Sequence, residues 1–310
     1  MEVIHLTQPP KKNRPDQLVL ALGYFDGVHI GHQKVIQTAL KIARDHGMKA
    51  AVMTFHPHPS VVLKHMSKRD DYLTPPEEKA ILMKQLGVDI VYFVKFDHDL
   101  SRMSPQDFID RYVIGLNVKH VVAGFDYTYG RMAQGNMETM KEHSRNMFTV
   151  TVIPKVTLFN EKVSTTKIRE LIQSGDVESA RPLLGRPYRI KGMVVHGDKR
   201  GNTLGFPTAN IKTLDPYVFP ERGIYAVRLM LDDEVYQGAG YIGTRPTYYD
   251  NEQPVVEVFL FDFHRTIYGE MVTVEWLKRL RDDKKFDRSE DLVQQMHRDI
   301  EAAKRYFQEA

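Results

Sequence analysis

Apolar and polar positions follow two different patterns along this chain, and the change occurs past its middle. In the first part, short apolar runs alternate with segments whose apolar positions repeat every three or four residues, as in amphipathic helices. The apolar runs predict buried strands at Leu18–Leu22, Lys49–Phe55, Ile90–Phe96, His120–Gly124 and Phe148–Ile153. The clearest helix candidate, His32–His46, stops at Gly47. Strands that alternate with helices predict βαβ units and a parallel sheet of the α/β class.

Helix-capping residues add further elements to the first part. Thr74-Pro75-Pro76-Glu77 predicts a helix start, with the threonine as N-cap and the glutamate completing a capping box, and Ser104-Pro105 predicts a similar start. Two short helices, Thr166–Gln173 and Val177–Leu184, precede the breaking sequence Gly185-Arg186-Pro187. We therefore expect two domains, residues 1–185 and residues 186–310.

Beyond this break the apolar period changes to two. The predicted strands are Arg189–Val195, Tyr225–Leu231, Val235–Tyr241, Val255–Phe261 and Val272–Leu277. Several short strands separated by turn residues are typical of a closed barrel or a sandwich. An amphipathic helix over Ser289–Gln308 follows them.

Composition narrows the class of protein. None of the 310 residues is cysteine, which excludes disulfides, thiolate metal sites and a cysteine nucleophile, and fits a reducing compartment. Residues 1–185 carry a net charge of +4 and residues 186–310 a net charge of −1, which is not the pattern of a nucleic-acid-binding protein. The apolar runs are too short to span a bilayer, and the polar start lacks the core of a signal peptide. We expect a cytoplasmic protein that binds neither nucleic acid nor membrane.

A glycine-rich segment, Gly23–His32, runs from a predicted strand into a predicted helix. Free backbone N–H groups and the helix dipole favour an anion at such a turn. His29 and His32 could donate hydrogen bonds to the phosphate oxygens of a nucleotide. Two exposed histidines at an ordinary helix start are the alternative, but the complete motif, with Gly23, Phe25 and Asp26, is more specific than a histidine pair.

The segment His56-Pro57-His58-Pro59 follows another strand. Together with His29 and His32 it offers four imidazoles, which suit zinc. The prolines stiffen this loop and no carboxylate is evidently paired with it, so a pocket wall, with Phe55 supplying ring contacts, is favoured over a metal site.

Hydroxyls and cations mark a second candidate anion site. Ser164, Thr165 and Thr166 begin a predicted helix, and Arg169 lies on its first turns, where it can bind phosphate through two hydrogen bonds. A plain helix-capping cluster is the alternative interpretation.

The loop His196–Asn210 has the composition of a phosphate cradle, although the chain contains no Gly-Lys dipeptide and therefore no Walker motif. Thr208 and Asn210 supply hard oxygen atoms that suit Mg²⁺. In the last third, Glu257 stands among apolar neighbours and is a candidate general base, unless the strand period simply turns it to solvent.

Taken together, these segments resemble the bacterial bifunctional riboflavin kinase/FAD synthetases over nearly the whole chain. The resemblance implies a nucleotidyltransferase-type parallel-sheet domain that adenylylates FMN, followed by a six-stranded β-barrel that phosphorylates riboflavin. ATP is the co-substrate and Mg²⁺ the implied cofactor, and we expect a monomer or weak homo-oligomer.

For the first domain, the resemblance implies an ATP site and a flavin site. The implied ATP-binding residues are Gly23, Phe25, Asp26, His29, His32, Ser164, Thr165 and Arg169, of which His29, His32 and Arg169 take catalytic roles. The implied flavin-binding residues are Phe55, His56, Pro57 and Asp126, the last within Gly124–Gly130. Two departures from the usual family pattern, Thr165 for serine and Asn136 for aspartate, leave the predicted reaction unchanged.

For the barrel, the resemblance implies a kinase site around Gly-Phe-Pro-Thr-Ala-Asn. The implied ATP-binding residues are Gly197, Lys199, Gly201, Gly205, Thr208 and Asn210, and Thr208 and Asn210 also hold Mg²⁺. Glu257 is implied as the base for the ribityl 5′-hydroxyl, and Arg281 and Phe286 as further riboflavin contacts. The alternatives are a chain with one working module, a non-catalytic flavin-binding regulator and a histidine-based metal hydrolase.

Overall fold

The computed structural model describes residues 1–10, 16–63, 71–197, 206–245 and 253–309. The chain forms two compact units, Met1–Thr165 and Thr166–Ala310. The helices are α1 (Ile30–Asp45), α2 (Pro59–Leu63), α3 (Pro76–Leu86), α4 (His98–Arg102), α5 (Pro105–Phe108), α6 (Met137–His143), α7 (Thr165–Gln173), α8 (Val177–Leu184) and α9 (Ser289–Glu309). The strands are β1 (Glu2–Leu6), β2 (Leu18–Leu22), β3 (Lys49–His56), β4 (Ile90–Lys95), β5 (Val118–Gly124), β6 (Thr149–Ile153), β7 (Thr157–Leu158), β8 (Glu161–Lys162), β9 (Tyr188–Val195), β10 (Thr208–Thr213), β11 (Gly223–Leu231), β12 (Glu234–Arg245), β13 (Gln253–Leu260) and β14 (Met271–Asp282).

The first unit contains a six-stranded sheet in the order β1-β4-β3-β2-β5-β6, and all its neighbouring pairs are parallel. This confirms the predicted α/β class. The chain builds outward from β2 on one side through β3 and β4, then crosses to β5 and β6 on the other. The strand order therefore reverses between β2 and β5, and a ligand crevice is expected at the carboxyl ends of these two strands.

Both faces of the sheet are covered, as its nearly continuous apolar strands predict. Alternate residues of β2 point to opposite sides. Leu18, Leu20 and Leu22 join a core with the helical segment after Pro105. Val19 and Ala21 join a second core beneath α1. This burial on both faces holds the strand ends rigidly, so that the loops after them start from fixed positions.

The two predicted helix starts have different outcomes. Ser104 is the N-cap of α5 and accepts the N–H of Asp107, as predicted. The capping box at Thr74 was wrong, since Pro75 is the N-cap of α3 and makes no side-chain cap. Thr74 is instead buried, and its N–H donates to the carboxylate of Asp26. A contact 48 positions away along the sequence has replaced the local one.

The second unit contains a closed barrel in the order β10-β13-β12-β11-β14-β9, with every neighbouring pair antiparallel. Buried side chains such as Tyr225, Val258 and Trp276 fill its interior. The six-stranded barrel and the long helix α9 confirm the predicted fold. One element differs, because Thr208–Asn210 belong to β10 rather than to the preceding loop.

The helices between the sheet and the barrel group with the second unit. Helix α8 packs against β9 and β14, and Lys278 of β14 forms an ion pair with Glu178 of α8 at 3.4 Å. Helix α8 ends at Gly185, which has a left-handed conformation with φ of 73°. Among the described helices, none combines the length and the apolar character needed to cross a membrane.

Candidate functional sites

The segment Gly23–His32, here called the signature loop, connects β2 to the first turn of α1. Phe25 and Val28 are buried and have positive φ angles of 55° and 41°. A Cβ atom on Gly23 would lie 2.8 Å from the ring of Phe25, so the loop closes this tightly only with glycine there. The loop therefore has a specific, strained backbone directly before a helix N-terminus.

The two histidines of the motif lie side by side at the start of α1. His29 is the N-cap, and its Nδ1 accepts the backbone N–H of His32 at 3.2 Å. Because Nδ1 is an acceptor, a neutral His29 ring carries its proton on Nε2. The two rings stack with centroids 3.5 Å apart, and Phe25 packs edge-on against His32. This arrangement suits hydrogen bonding to a phosphate group at the positive end of the helix dipole.

Asp26 stabilises the signature loop from within. It is buried, and its Oδ1 accepts the backbone N–H groups of Leu73 and Thr74 at 3.0 and 3.1 Å. Its own carbonyl accepts a hydrogen bond from Thr165 Oγ1 at 3.3 Å. The structure thus brings together two of the predicted ATP-binding residues, Asp26 and Thr165, through a backbone contact.

The remaining predicted residues of the second anion site lie around the start of α7. Ser164 is half-buried and directly precedes this helix. Arg169 lies about one turn further along α7 and is buried, within the second compact unit. Their roles stay predictions.

The predicted flavin-side residues lie at the end of β3 and in the segments that follow β3 and β5. Phe55 packs against Phe96 and Phe108, with ring centroids 6.5 and 6.2 Å away. His56 is exposed next to half-buried Pro57, and its Nδ1 lies 3.3 Å from the hydroxyl of Tyr72. The loop with His56 and Pro57 reaches the signature loop, because His58 packs edge-on against Tyr24.

Asp126, after β5, is exposed and forms an ion pair with Lys162 at 2.8 Å. Lys162 also lies 4.9 Å from the ring centroid of Phe125, a residue that is largely exposed. Phe125 and Asp126 follow β5, and the signature loop follows the neighbouring strand β2, so both segments begin at the same edge of the sheet.

The four-histidine metal site is not assembled. Over the described ranges, no group of three or more histidine, aspartate or glutamate side chains is arranged to hold a metal ion. His29 and His32 stack on each other instead of converging on a common point.

A second site lies on the barrel. Asn210 of β10, Glu257 of β13 and Tyr241 of β12 stand directly opposite one another on three neighbouring strands. Residues 256 and 258 of β13 are buried, so the alternation of the strand turns Glu257 to the outer face. With Thr208, these residues form what we call the barrel cluster. Strand pairing thus assembles residues up to 49 positions apart.

The barrel cluster is polar and partly shielded. Thr208 Oγ1 donates to Glu257 Oε2 at 3.3 Å, and Glu257 is half-buried rather than turned fully to solvent. The hydroxyl of Tyr241 lies 3.4 Å from a carboxylate oxygen of Asp283. Burial, and then the negative charges of Asp283 and Glu257, raise the pKa of Tyr241 to about 12. A carboxylate beside a hydroxyl and an amide can accept a proton and can also contribute oxygen ligands to a divalent metal.

Gly197 lies close to the barrel cluster, and the other three predicted cradle residues, Lys199, Gly201 and Gly205, lie outside the described residues. A Cβ atom on Gly197 would stand 2.3 to 2.5 Å from the side-chain atoms of Asn210. Gly197 therefore allows the backbone to approach this carboxamide closely.

Replacing Gly197 with alanine is expected to displace the Asn210 carboxamide and, in the riboflavin phosphorylation that the resemblance implies, to lower kcat/KM for ATP between about tenfold and a hundredfold. Steady-state kinetics of both implied reactions on the same purified variant would test this, because the implied FMN adenylylation supplies an internal control. Unchanged phosphorylation kinetics would show that the Asn210 position is not critical.

Of the two riboflavin contacts predicted besides Glu257, Arg281 is already engaged. Its guanidinium forms two hydrogen bonds with the buried Asp299 of α9, at 2.7 and 2.6 Å. Gln295 donates to the same carboxylate at 2.9 Å. Arg281 therefore ties the end of β14 to α9. Phe286 is half-buried, with Lys284 Nζ 5.5 Å from its ring centroid.

Sequence reasoning missed two residues next to these sites. Tyr241 lies at the end of a predicted strand, but only the pairing register places it opposite Glu257. Lys79 of α3 is almost completely buried. Its spacing of four from the buried Met83 places both on one helix face, and this was the available signal.

Two family models match the chain. One is described as FAD synthetase and matches residues 11–167, and the other is described as riboflavin kinase and matches residues 184–307. The first covers strands β2 to β6 of the sheet and the start of α7, and the second covers the barrel and most of α9.

Curated relatives match over the full length. The proteins of Bacillus subtilis (strain 168) and Listeria monocytogenes, both named bifunctional riboflavin kinase/FMN adenylyltransferase, are 48% and 45% identical, each over 99% of this chain and 98% of its own length. The Escherichia coli (strain K12) protein of the same name is 33% identical over 98% of this chain and 96% of its own length.

A solved structure also matches both units. A Streptococcus pneumoniae crystal structure superposes with a TM-score of 0.89 and 36% identity, covering 96% of this chain and 97% of its own. Its title names a macrolide-efflux protein, whereas both family models and the curated relatives name enzymes of flavin metabolism.

Proposed function

The chain belongs to the bifunctional riboflavin kinase/FMN adenylyltransferases, and we propose that it carries out its two reactions at two sites, the barrel cluster and the signature loop. As a member of this family, it phosphorylates riboflavin to FMN with ATP and then adenylylates FMN to FAD, with release of pyrophosphate. The observation that carries the two-site proposal is the pairing register that places Asn210, Glu257 and Tyr241 in one row.

In phosphorylation, Glu257 acts as general base. The 5′-hydroxyl oxygen of the ribityl chain attacks the γ-phosphorus of ATP, the bond to the bridging oxygen of ADP breaks, and Glu257 takes the hydroxyl proton. The hydrogen bond from Thr208 orients this carboxylate. Arg281 and Phe286 contribute riboflavin contacts, and the Asp299 ion pair holds Arg281 in place.

Enzymes of this family generally use a divalent metal with ATP, and Mg²⁺ is the ion that we propose. The barrel cluster fits it, because Thr208 Oγ1 and the Asn210 carboxamide oxygen are hard ligands beside a carboxylate. A bound Mg²⁺ would neutralise phosphate charge there. Gly197, Lys199, Gly201 and Gly205 complete the ATP-binding loop in this proposal.

In adenylyl transfer, a phosphate oxygen of FMN attacks the α-phosphorus of ATP, and the bond to pyrophosphate breaks. The attacking phosphate is already ionised, so no general base is needed. Catalysis depends on position and on charge stabilisation, supplied by His29 and His32 at the N-terminus of α1 and by Ser164, Thr165 and Arg169.

The other residues that we assign to adenylyl transfer shape the signature loop or contact the flavin. Gly23, Phe25 and Asp26 shape the signature loop. The flavin side is provided by Phe55, His56, Pro57 and Asp126, since they lie at or just after the carboxyl ends of β3 and β5, the two strands that flank β2. We place the boundary between the two activities near Gly185, after residues 1–185, and the enzyme in the cytoplasm as a monomer or weak homo-oligomer with no nucleic-acid or membrane partner.

A chromatographic time course tests the two activities together. With riboflavin, ATP and Mg²⁺, FMN is expected to rise first and FAD to follow, and chelation of the metal is expected to stop FMN formation. FMN supplied with ATP should yield FAD directly. A chain that makes FMN and no FAD would have only one working module, and a chain that binds flavin but makes neither product would be a flavin-binding regulator.

A further inference from the structure

Lys79 on α3 is a buried cation that the mechanism above does not use. Only 1% of its surface is exposed, although lysine side chains almost always reach solvent. Burial of an ammonium group is costly unless specific partners compensate it. The partners of Lys79 therefore indicate why it is there.

The partners of Lys79 lie at the start of the signature loop and on the neighbouring strand β3. Its Nζ donates to the backbone carbonyl of Tyr24 at 2.8 Å and lies 4.5 Å from the ring centroid of Tyr24. Nζ also lies 3.4 Å from Thr54 Oγ1, and this hydroxyl donates to the same carbonyl at 2.7 Å. One carbonyl of the loop is thus held by two donors, one from α3 and one from β3.

The held carbonyl directly precedes the strained part of the loop. Phe25 and Val28 have φ angles of 55° and 41°. Residues other than glycine adopt such backbone angles only when their surroundings enforce them. Asp26, between them, is fixed by the N–H groups of Leu73 and Thr74 just before α3. Asp26 also attracts the charge of Lys79. The start of α3 therefore holds the loop at two points.

We propose that Lys79 is a positioning residue for adenylyl transfer, which holds the signature loop in the conformation that presents His29, His32 and the first N–H groups of α1 to ATP. This inference rests on the proposed role of that loop. Lys79 itself touches no substrate. Its effect is confined to adenylyl transfer, since its described contacts all lie within the first unit.

The ionisation of Lys79 should give adenylyl transfer a pH dependence that a merely structural lysine would not give. Burial lowers the pKa of Lys79 from 10.5 to about 8, partly offset by the charge of Asp26. The ionisable groups that face it are Asp26 and Tyr24 from the loop, while β3 contributes Thr54, which does not titrate. Deprotonation removes the attraction to Asp26 and to the ring of Tyr24. Adenylyl transfer is therefore expected to fall severalfold above about pH 8.

The stability of the fold should change with pH in the opposite direction. The pKa of Lys79 is lower in the folded chain than in the unfolded chain, so the unfolded chain binds more protons between about pH 8 and 10.5. The penalty for burying the charged form decreases across that window, and the contribution of Lys79 to stability rises. If adenylyl transfer falls above about pH 8 while the stability of the fold rises, the loss of activity cannot result from unfolding. Such a result would support a positioning role for Lys79.

The test compares Lys79→Met with Lys84→Met, which removes an exposed lysine from the same helix. In the full-length enzyme, Lys79→Met is expected to lower kcat/KM for ATP in FMN adenylylation at least tenfold, to leave riboflavin phosphorylation within twofold, and to abolish the decline above pH 8. Lys84→Met should leave both activities and the pH profile unchanged. Adenylylation by Lys79→Met within twofold of the parent would overturn the proposal.

Two further measurements keep the proposal falsifiable if Lys79→Met folds poorly. Thr54→Val removes the second donor to the Tyr24 carbonyl, and a smaller loss of adenylylation alone is expected. A flat adenylylation profile of the parent enzyme between pH 7 and 9.5 would also overturn it. His29→Ala, assayed alongside, separates failure of the Lys79 proposal from failure of the proposed adenylylation site. If His29→Ala too leaves adenylylation intact, the site assignment itself is wrong.

Discussion

Replacement of Glu257 with glutamine is expected to slow riboflavin phosphorylation by about 10²- to 10⁴-fold, the usual contribution of a general base, and to leave FMN adenylylation unchanged. Glutamine retains the size of the side chain and still accepts the hydrogen bond from Thr208. What it loses is the ability to take the proton of the ribityl hydroxyl. Initial rates of FMN formation from riboflavin and of FAD formation from FMN, measured on one preparation, give the result.

Glu234→Gln is the matched control, because it removes an exposed carboxylate from the same barrel. Its two activities are expected to stay within twofold of the parent. Retention of phosphorylation by Glu257→Gln would mean that another group takes the proton. Loss of both activities in a folded Glu257→Gln protein would contradict the assignment of two separate sites.

Removal of the His29 imidazole is expected to have the opposite result, a loss of adenylyl transfer by about 10²- to 10³-fold with normal phosphorylation. His29 also caps α1, so alanine would remove both a phosphate donor and a helix cap worth about 0.5–2 kcal/mol. Asparagine is a good N-cap and restores the cap without the imidazole. Both His29→Ala and His29→Asn should therefore show this loss of adenylyl transfer, while only His29→Ala is expected to lose stability.

His46→Ala is the matched control, since His46 is an exposed histidine at the other end of α1. Thermal unfolding of the three variants separates capping from catalysis. Full adenylyl transfer by His29→Asn would show that the ring serves only as a cap. An inactive His29→Ala rescued by His29→Asn would lead to the same conclusion.

Much of the fold was predicted from local pattern. The strand at Leu18–Leu22 and the helix at Val177–Leu184 have the predicted bounds, because an apolar run and a Gly185 C-cap are local signals. Strand β1 was not predicted, since it is a largely exposed edge strand that gains its order by pairing with β4. The capping box at Thr74 failed for a similar reason, because a distant carboxylate took the N–H of Thr74.

The candidate sites likewise contain residues that the sequence predicted and residues that only the structure placed there. Glu257, Thr208 and Asn210 were predicted from the motifs that carry the family resemblance, and strand pairing then brought Glu257 together with the other two. Tyr241 completes that row through register alone. Arg281 was predicted as a flavin contact, and the structure adds its ion pair with Asp299 of α9.

The sequence by itself determined the two fold classes and the family, and it supplied the candidate site residues, because periodicity, capping and short motifs are properties of neighbouring residues. Only the tertiary structure decided how distant residues combine. It placed Lys79 where its Nζ donates a hydrogen bond to the carbonyl of Tyr24, 55 positions away. It also made Nδ1 of His29 a hydrogen-bond acceptor. Burial and hydrogen-bond partners depend on how strands and helices pack, and packing is not encoded in any single segment.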